Sequence, residues 1–172
     1  MKTKKYLLTI LALSFIFVLT FMNWETGAAQ VKSLSIKRTL VAGQSATFYS
    51  GRGGVFFYKP AYSGSMVFTR TESVNTSGLL FNRPWYTIEL FDSKGKTIKE
   101  AKGLTYVFYN LNKQERTDWE NGNLKIYQFD AEKQIWQKCP TQYFERSVDS
   151  PFGRVMCQIS RTYMTYGLVY KK

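Results

Sequence analysis

Leu104-Thr105-Tyr106-Val107-Phe108-Tyr109 places Leu104, Tyr106 and Phe108 at alternate positions to Thr105, Val107 and Tyr109. A pleated strand sends successive side chains to opposite faces, and β-branched and aromatic residues suit that surface. Large side chains fall on both faces, which predicts a strand lying between two covering layers.

The same period recurs on either side of this run. In Leu124-Lys125-Ile126-Tyr127-Gln128-Phe129, Leu124 and Ile126 share one face and Tyr127 and Phe129 the other. Val155, Cys157 and Ile159 alternate with Met156, Gln158 and Ser160, and Met164, Tyr166, Leu168 and Tyr170 alternate with Thr165, Gly167, Val169 and Lys171. Further strands are expected at Ser45–Ser50, Val55–Tyr58, Ser65–Thr71, Trp85–Phe91, Thr97–Ala101 and Gln134–Lys138. Gly51-Arg52-Gly53-Gly54, Asp92-Ser93-Lys94-Gly95, Glu120-Asn121-Gly122-Asn123 and Asp130-Ala131-Glu132-Lys133 carry the turn chemistry between them. Roughly ten short strands at about 8–12-residue spacing predict an all-β, antiparallel sandwich. Asn112–Trp119 is the one stretch with room for a polar helical turn. With no repeat or long linker, residues 30–172 read as a single sandwich domain.

The first 29 residues read as an address. Lys2, Lys4 and Lys5 precede an uncharged, mostly apolar run from Tyr6 to Trp24, and Gly27-Ala28-Ala29 supplies the small residues of a cut site after Ala29. The rival reading is an uncleaved anchor over residues 6–24, because the run approaches the roughly 20 residues that span a bilayer. Both readings hold the lysines in the cytoplasm and place the body outside, secreted or at the cell surface.

The chain carries 24 Lys and Arg against 12 Asp and Glu, a net charge of +12. Removing residues 1–29 leaves 21 basic and 11 acidic residues, so the body keeps +10. There is no histidine, which excludes Ser-His-Asp triads, Cys-His dyads and histidine-ligated zinc. No cofactor or metal is implied. Gly51-Arg52-Gly53-Gly54 lacks the Lys-Ser/Thr and the helix of a phosphate loop and reads as a hairpin. No carboxylate pair for glycoside hydrolysis can be chosen from sequence. Asn75-Thr76-Ser77 matches a glycosylation sequon. The two cysteines, Cys139 and Cys157, allow one intramolecular pairing, and in an exported chain that pairing reads as a structural disulfide.

The C-terminal part has a recognisable order: Asn123–Asp130, Ile135-Trp136, Cys139-Pro140-Thr141, Val148-Asp149, then Arg161-Thr162-Tyr163-Met164-Thr165-Tyr166-Gly167-Leu168. This resembles the closing half of β-sandwich domains in many bacterial surface proteins, and the sandwich of ankyrins, netrin receptors and autoproteolytic death-domain scaffolds. Lys59-Pro60-Ala61-Tyr62-Ser63-Gly64-Ser65-Met66-Val67 is similar to that family's entry strand. The resemblance covers roughly residues 55–170 and implies a sandwich with Trp136 in its core. Self-cleaving members cut within His-Phe-Ser. The aligned residues here are Thr162, Tyr163 and Met164, which supply neither the base nor the nucleophilic oxygen. The resemblance therefore carries no expectation of self-cleavage.

Three functions fit these features. The first is a non-catalytic surface or secreted binding and adhesion module. Its excess positive charge suits anionic wall polymers, acidic glycans or a membrane surface. Lys94, Lys96, Lys99 and Lys102 gather around one expected hairpin, and Lys32, Lys37 and Arg38 form a second group. A solvated surface that merely aids solubility would have the same composition. Among the aromatic residues, Trp119 is the candidate for stacking on a glycan, because Arg116, Thr117, Asp118 and Glu120 surround it. The second function is a structural subunit of an extracellular assembly, paired through sheet edges. The third is a small secreted hydrolase using carboxylates. Nucleic acid fits poorly with export.

Overall fold

The computed structural model describes residues 33–72, 79–81, 83–101, 103–145 and 149–170. The expected signal segment or anchor, Lys32, the Asn75-Thr76-Ser77 sequon, Lys102 and Val148 lie outside the described residues. Lys32–Lys172 form one compact unit. Its strands are β1 (Ser33–Leu40), β2 (Ala46–Ser50), β3 (Gly53–Tyr58), β4 (Gly64–Thr71), β5 (Leu80–Phe81), β6 (Trp85–Asp92), β7 (Thr97–Ile98), β8 (Leu104–Asn110), β9 (Leu124–Asp130), β10 (Ile135–Lys138), β11 (Thr141–Phe144), β12 (Arg154–Gln158) and β13 (Met164–Tyr170). One helix, α1 (Lys113–Glu120), lies between β8 and β9.

The strands form two antiparallel sheets packed face to face, as the alternation predicts. The larger sheet runs β1-β4-β6-β13-β9-β10, with β5 on β13 and β7 on β6. The smaller runs β11-β12-β8-β3-β2. Met66, Phe68, Ile88, Leu90, Leu124, Ile126 and Leu168 from the first meet Val55, Phe57, Val107, Tyr109 and Val155 from the second, all buried. β1, β5 and β11 add to the strands expected from sequence. In β1 only Leu40 is fully buried, so its pattern carries little apolar signal.

Cys139 and Cys157 form a disulfide with a Cα–Cα separation of 6.0 Å. Cys139 donates its backbone N–H to Ile126 O at 2.9 Å, so it extends the β9–β10 ladder of the larger sheet. Cys157 sits on β12 of the smaller sheet. The bond therefore ties the two layers together, and both residues are buried.

Tyrosines take an unusual share of the core. Tyr86 donates to Ser50 O at 2.8 Å and Tyr109 to Tyr166 O at 3.0 Å. Gly53 makes room for the first, since a Cβ there would stand 2.4 Å from the Tyr86 ring. Burial raises the pKa of Tyr86, Tyr109 and Tyr166, and pushes Tyr62 and Tyr170 up to about 12. A raised phenol contributes stability that is fully present below the unfolded pKa of about 10 and is lost as pH rises through the folded value. With no histidine to titrate, stability is expected to stay level between about pH 6 and 8. It should then fall steeply from about pH 10 upward. Thermal melts across this range check it, and a melting temperature at about pH 11 equal to that at pH 8 would contradict it.

Candidate functional site

β8 is the middle strand of the smaller sheet. Its Val107 and Tyr109 belong to the core cluster, so Leu104, Tyr106, Phe108 and Asn110 alternate onto the outer face, where Tyr49 and Arg154 cover Phe108 and both Phe108 and Asn110 are buried. The sequence predicts a second layer over that face. Among the described residues no such layer is present, and the face is a trough of aromatic rings.

Register builds the trough row by row. Tyr49, Gly54, Phe108 and Met156 stand side by side across β2, β3, β8 and β12. Phe56 and Tyr106 form the next row and stack at 6.4 Å with 21° between ring planes. Tyr58 and Leu104 follow, and Phe144 on β11 closes one side. Tyr49, Tyr58, Leu104 and Phe144 remain 44%, 48%, 43% and 42% exposed. A water-facing strand of a sandwich ordinarily places polar residues at such positions.

Gly54 shapes the middle of the trough. A Cβ there would lie 2.1 Å from Phe48 O and 2.7 Å from the Phe108 ring. The missing side chain lets Tyr49 lean against Phe108 edge to face, with centroids 5.3 Å apart. The Arg154 guanidinium sits 4.8 Å from the Phe108 ring centroid. Tyr49 Oη then reaches to 3.5 Å from Asp149 Oδ2, a long contact that a ligand hydroxyl can displace. Tyr49 and Asp149 line two adjoining cavities. The aromatic groove has a volume of about 530 Å³ and the polar pocket about 490 Å³.

The polar pocket is built from turns. The two-residue loop Gly51-Arg52 joins β2 to β3, with Gly51 at φ 64°, where a side chain would be strained. Asn110 donates Nδ2–H to Asp149 O at 3.3 Å, while its Oδ1 is buried without a partner. Asn112 caps α1: its Oδ1 accepts from Glu115 N at 2.8 Å, and Glu115 Oε2 accepts from Asn112 N at 2.8 Å. Glu115 also receives Arg83 Nε–H at 2.8 Å and lies 3.7 Å from Arg52 Nη1, which anchors the hairpin.

The other expected site residues fall elsewhere. Lys37 and Arg38 lie on β1, whereas Lys94, Lys96 and Lys99 lie in and beside the β6–β7 hairpin, with β4 between. No lysine is among the described residues lining either cavity. Trp119 does not stand free as its neighbours in sequence suggest. It is half-buried on α1 and packs on the core; its ring stacks on Tyr143 at 6.4 Å and Lys125 Nζ covers it at 4.0 Å. Short polar helices still bury one face, and the stacking surface is already taken. Trp136 is not in the main core. It joins Phe81, Trp85 and Phe129 in a cluster seated over Gly167 on the outer face of the larger sheet. Thr162 donates Oγ1–H to Ile98 O, and Tyr163 is held at φ 64° with its Oη 2.8 Å from Thr97 Oγ1. Among the described residues no group of three or more His, Cys, Asp or Glu could hold a metal ion, and no helix is long and apolar enough to cross a membrane.

Fold and site together define a disulfide-tied antiparallel β-sandwich with an aromatic trough on its smaller sheet. No family model, curated protein or solved structure matches the chain.

Proposed function

We propose that the chain is an exported, non-catalytic carbohydrate-binding module, with a neutral sugar chain lying along β8 in the trough. The observation that carries this reading is the set of outward apolar and aromatic side chains Tyr49, Tyr58, Leu104, Tyr106 and Phe144 on a sheet face that would otherwise be polar. Exposed aromatic rings offer flat faces to the C–H faces of sugar rings, and a few polar groups at the rim orient the hydroxyls. Glu145, Asp149 and Arg154 supply those groups. The charged residues among the described lining are Arg52 and Arg154 against Glu145 and Asp149, a balanced set on a body of charge +10, so charge favours a neutral chain here over a polyanion. Glu145 and Asp149 both lie in the segment joining β11 to β12 and form one wall. Glycoside hydrolysis needs carboxylates on both sides of the scissile bond, so binding is the better reading.

Affinity electrophoresis against a panel of soluble polysaccharides tests this. Tyr58→Ala is expected to weaken retention by roughly tenfold, the worth of one stacking contact, with little loss of stability at so exposed a ring. Retention should not change between low and high salt, because no ion pair carries it. Retention abolished by salt would instead favour the basic surface. A dimer by light scattering that Tyr58→Ala dissolves would mark the trough as a protein interface and sink the glycan reading.

A further inference from the structure

We infer that the free edge of β2 receives an extended acidic segment of a partner protein as an added strand, whatever ligand fills the trough. β1 ends the larger sheet and β2 ends the smaller. On β1, Leu34, Ile36, Arg38 and Leu40 face inward, because Ile36 and Arg38 pair with Phe68 and Met66 of the core. Of these four only Leu40 is buried. Leu34 is 55% exposed, and Arg38 is exposed as well. The smaller sheet therefore stops one strand short of covering β1. The step between the two edges is an open cavity of about 210 Å³, walled by Ile36, Arg38 and Phe48 over the buried Met66 and Phe68.

The backbone at this edge is ready to pair. The two-residue loop Gly51-Arg52 makes Ser50 and Gly53 a hydrogen-bonded pair, so Ser50, Phe48 and Ala46 turn their backbone groups to β3. Thr47 and Tyr49 turn theirs outward, where no strand lies among the described residues. Both residues are exposed. β2 carries no charge and no proline to blunt its edge, whereas β1 carries Lys37 and Arg38. A strand added to β2 completes those bonds and lays its alternate side chains over the step. Apolar ones meet Leu34, Ile36 and Phe48. The Arg38 guanidinium donates to Lys37 O at 3.1 Å and pairs with no carboxylate among the described residues, so an acidic side chain in the same row complements it. A second copy of this chain fits the step poorly. Its β2 offers no carboxylate to Arg38, and its β1 brings another Lys37 and Arg38 against the first.

The probe is the capped peptide Thr-Val-Thr-Glu-Thr-Val-Thr, whose valines and glutamate share one face, set against the same peptide with lysine in place of glutamate. Fluorescence anisotropy of the labelled peptides is expected to show the acidic one binding about tenfold more tightly. At saturation, hydrogen exchange at the Thr47 and Tyr49 amides should slow about tenfold, because only strand addition gives them acceptors. Arg38→Glu, at an exposed position, should invert the preference between the two peptides. Thr47→Pro removes an outward donor, a change that edge strands tolerate, and should weaken both peptides together. If that variant fails to fold, the Arg38→Glu inversion still decides the matter. Binding of neither peptide, or binding without protection of Thr47 and Tyr49, overturns the inference. A preference unmoved by Arg38→Glu also overturns it. A dimer by light scattering that Thr47→Pro dissolves gives the edge to a second copy and overturns the acidic partner.

Discussion

Glu115→Ala is expected to lower the melting temperature by about 10–15 °C, the equivalent of about 3–5 kcal/mol in a unit of this size. The glutamate side chain is 1% exposed and that of Arg83 is 10% exposed. The ladder on β13 pairs Phe81 with Val169 and resumes at Tyr86 with Tyr166, two residues out of step. Arg83 stands in this interruption and makes a forked contact with Glu115, Nε to Oε1 at 2.8 Å and Nη2 to both oxygens. The same carboxylate caps α1 through Asn112. Alanine removes the cap and leaves a buried guanidinium without its carboxylate. The second loss dominates, because stranding one charge is far costlier than losing a helix cap of about 1 kcal/mol. Glu115→Gln separates the two effects. Glutamine keeps the capping geometry, so its deficit should be smaller than that of alanine. Arg83→Met should cost about as much as Glu115→Ala, and the double variant Arg83→Met/Glu115→Leu should be much less destabilised than the sum. Additive losses in that cycle, or a Glu115→Ala melting temperature within about 2 °C of wild type, would show that the pair does not hold the helix to the sheets.

That ion pair was not legible in the sequence, and the reason is physical. Arg83 and Glu115 are 32 residues apart, and each sits among other charged or turn-forming residues, where a solvated role is the ordinary expectation. Alternation, by contrast, is a local property. It located β6, β8, β9 and β13 within a residue or so, and the Gly51-Arg52 loop fell where glycine chemistry put it. The trough was half legible. Leu104–Tyr109 has large residues on both faces, and period alone cannot tell a covered face from one that waits for a ligand. Only the register that places Gly54 between Tyr49 and Phe108 turns that ambiguity into a shaped surface. The two basic groups lie apart for a related reason. Neighbours in sequence stay near each other around the β6–β7 hairpin, but nothing in the local pattern says whether β1 lies beside it, and β4 intervenes. Trp119 is half-buried because Tyr143 and Lys125, which stack on its ring, come from other elements that its polar neighbours in sequence do not reveal.

Replacing Cys139 and Cys157 together by alanine is expected to lower stability by roughly 3 kcal/mol, about 10 °C in melting temperature. The bond closes a segment with a sequence separation of 18, and chain-entropy reasoning gives that magnitude for a loop of this length. Its position adds a second consequence. Cys139 continues the β9–β10 edge of the larger sheet, and Cys157 lies on β12, whose Arg154 and Met156 line the trough. β11, with Phe144, follows Cys139 directly and pairs only with β12. Without the bond, the β11–β12 wall is held to the larger sheet by packing and by the long hydrogen bond from Ile126 N to Thr141 Oγ1 at 3.3 Å. Sugar binding in the double variant should therefore weaken well below the melting temperature, whereas Glu115→Ala should affect the polar pocket more than the aromatic groove. Reduction offers an independent check. Both cysteines are buried, so a thiol reductant must wait for an opening of the sandwich. Under native conditions the bond should resist reduction, and its loss on warming should track unfolding. Rapid, complete reduction of the folded protein with no change in melting temperature would show that the bond neither lies between the layers nor supports the trough wall.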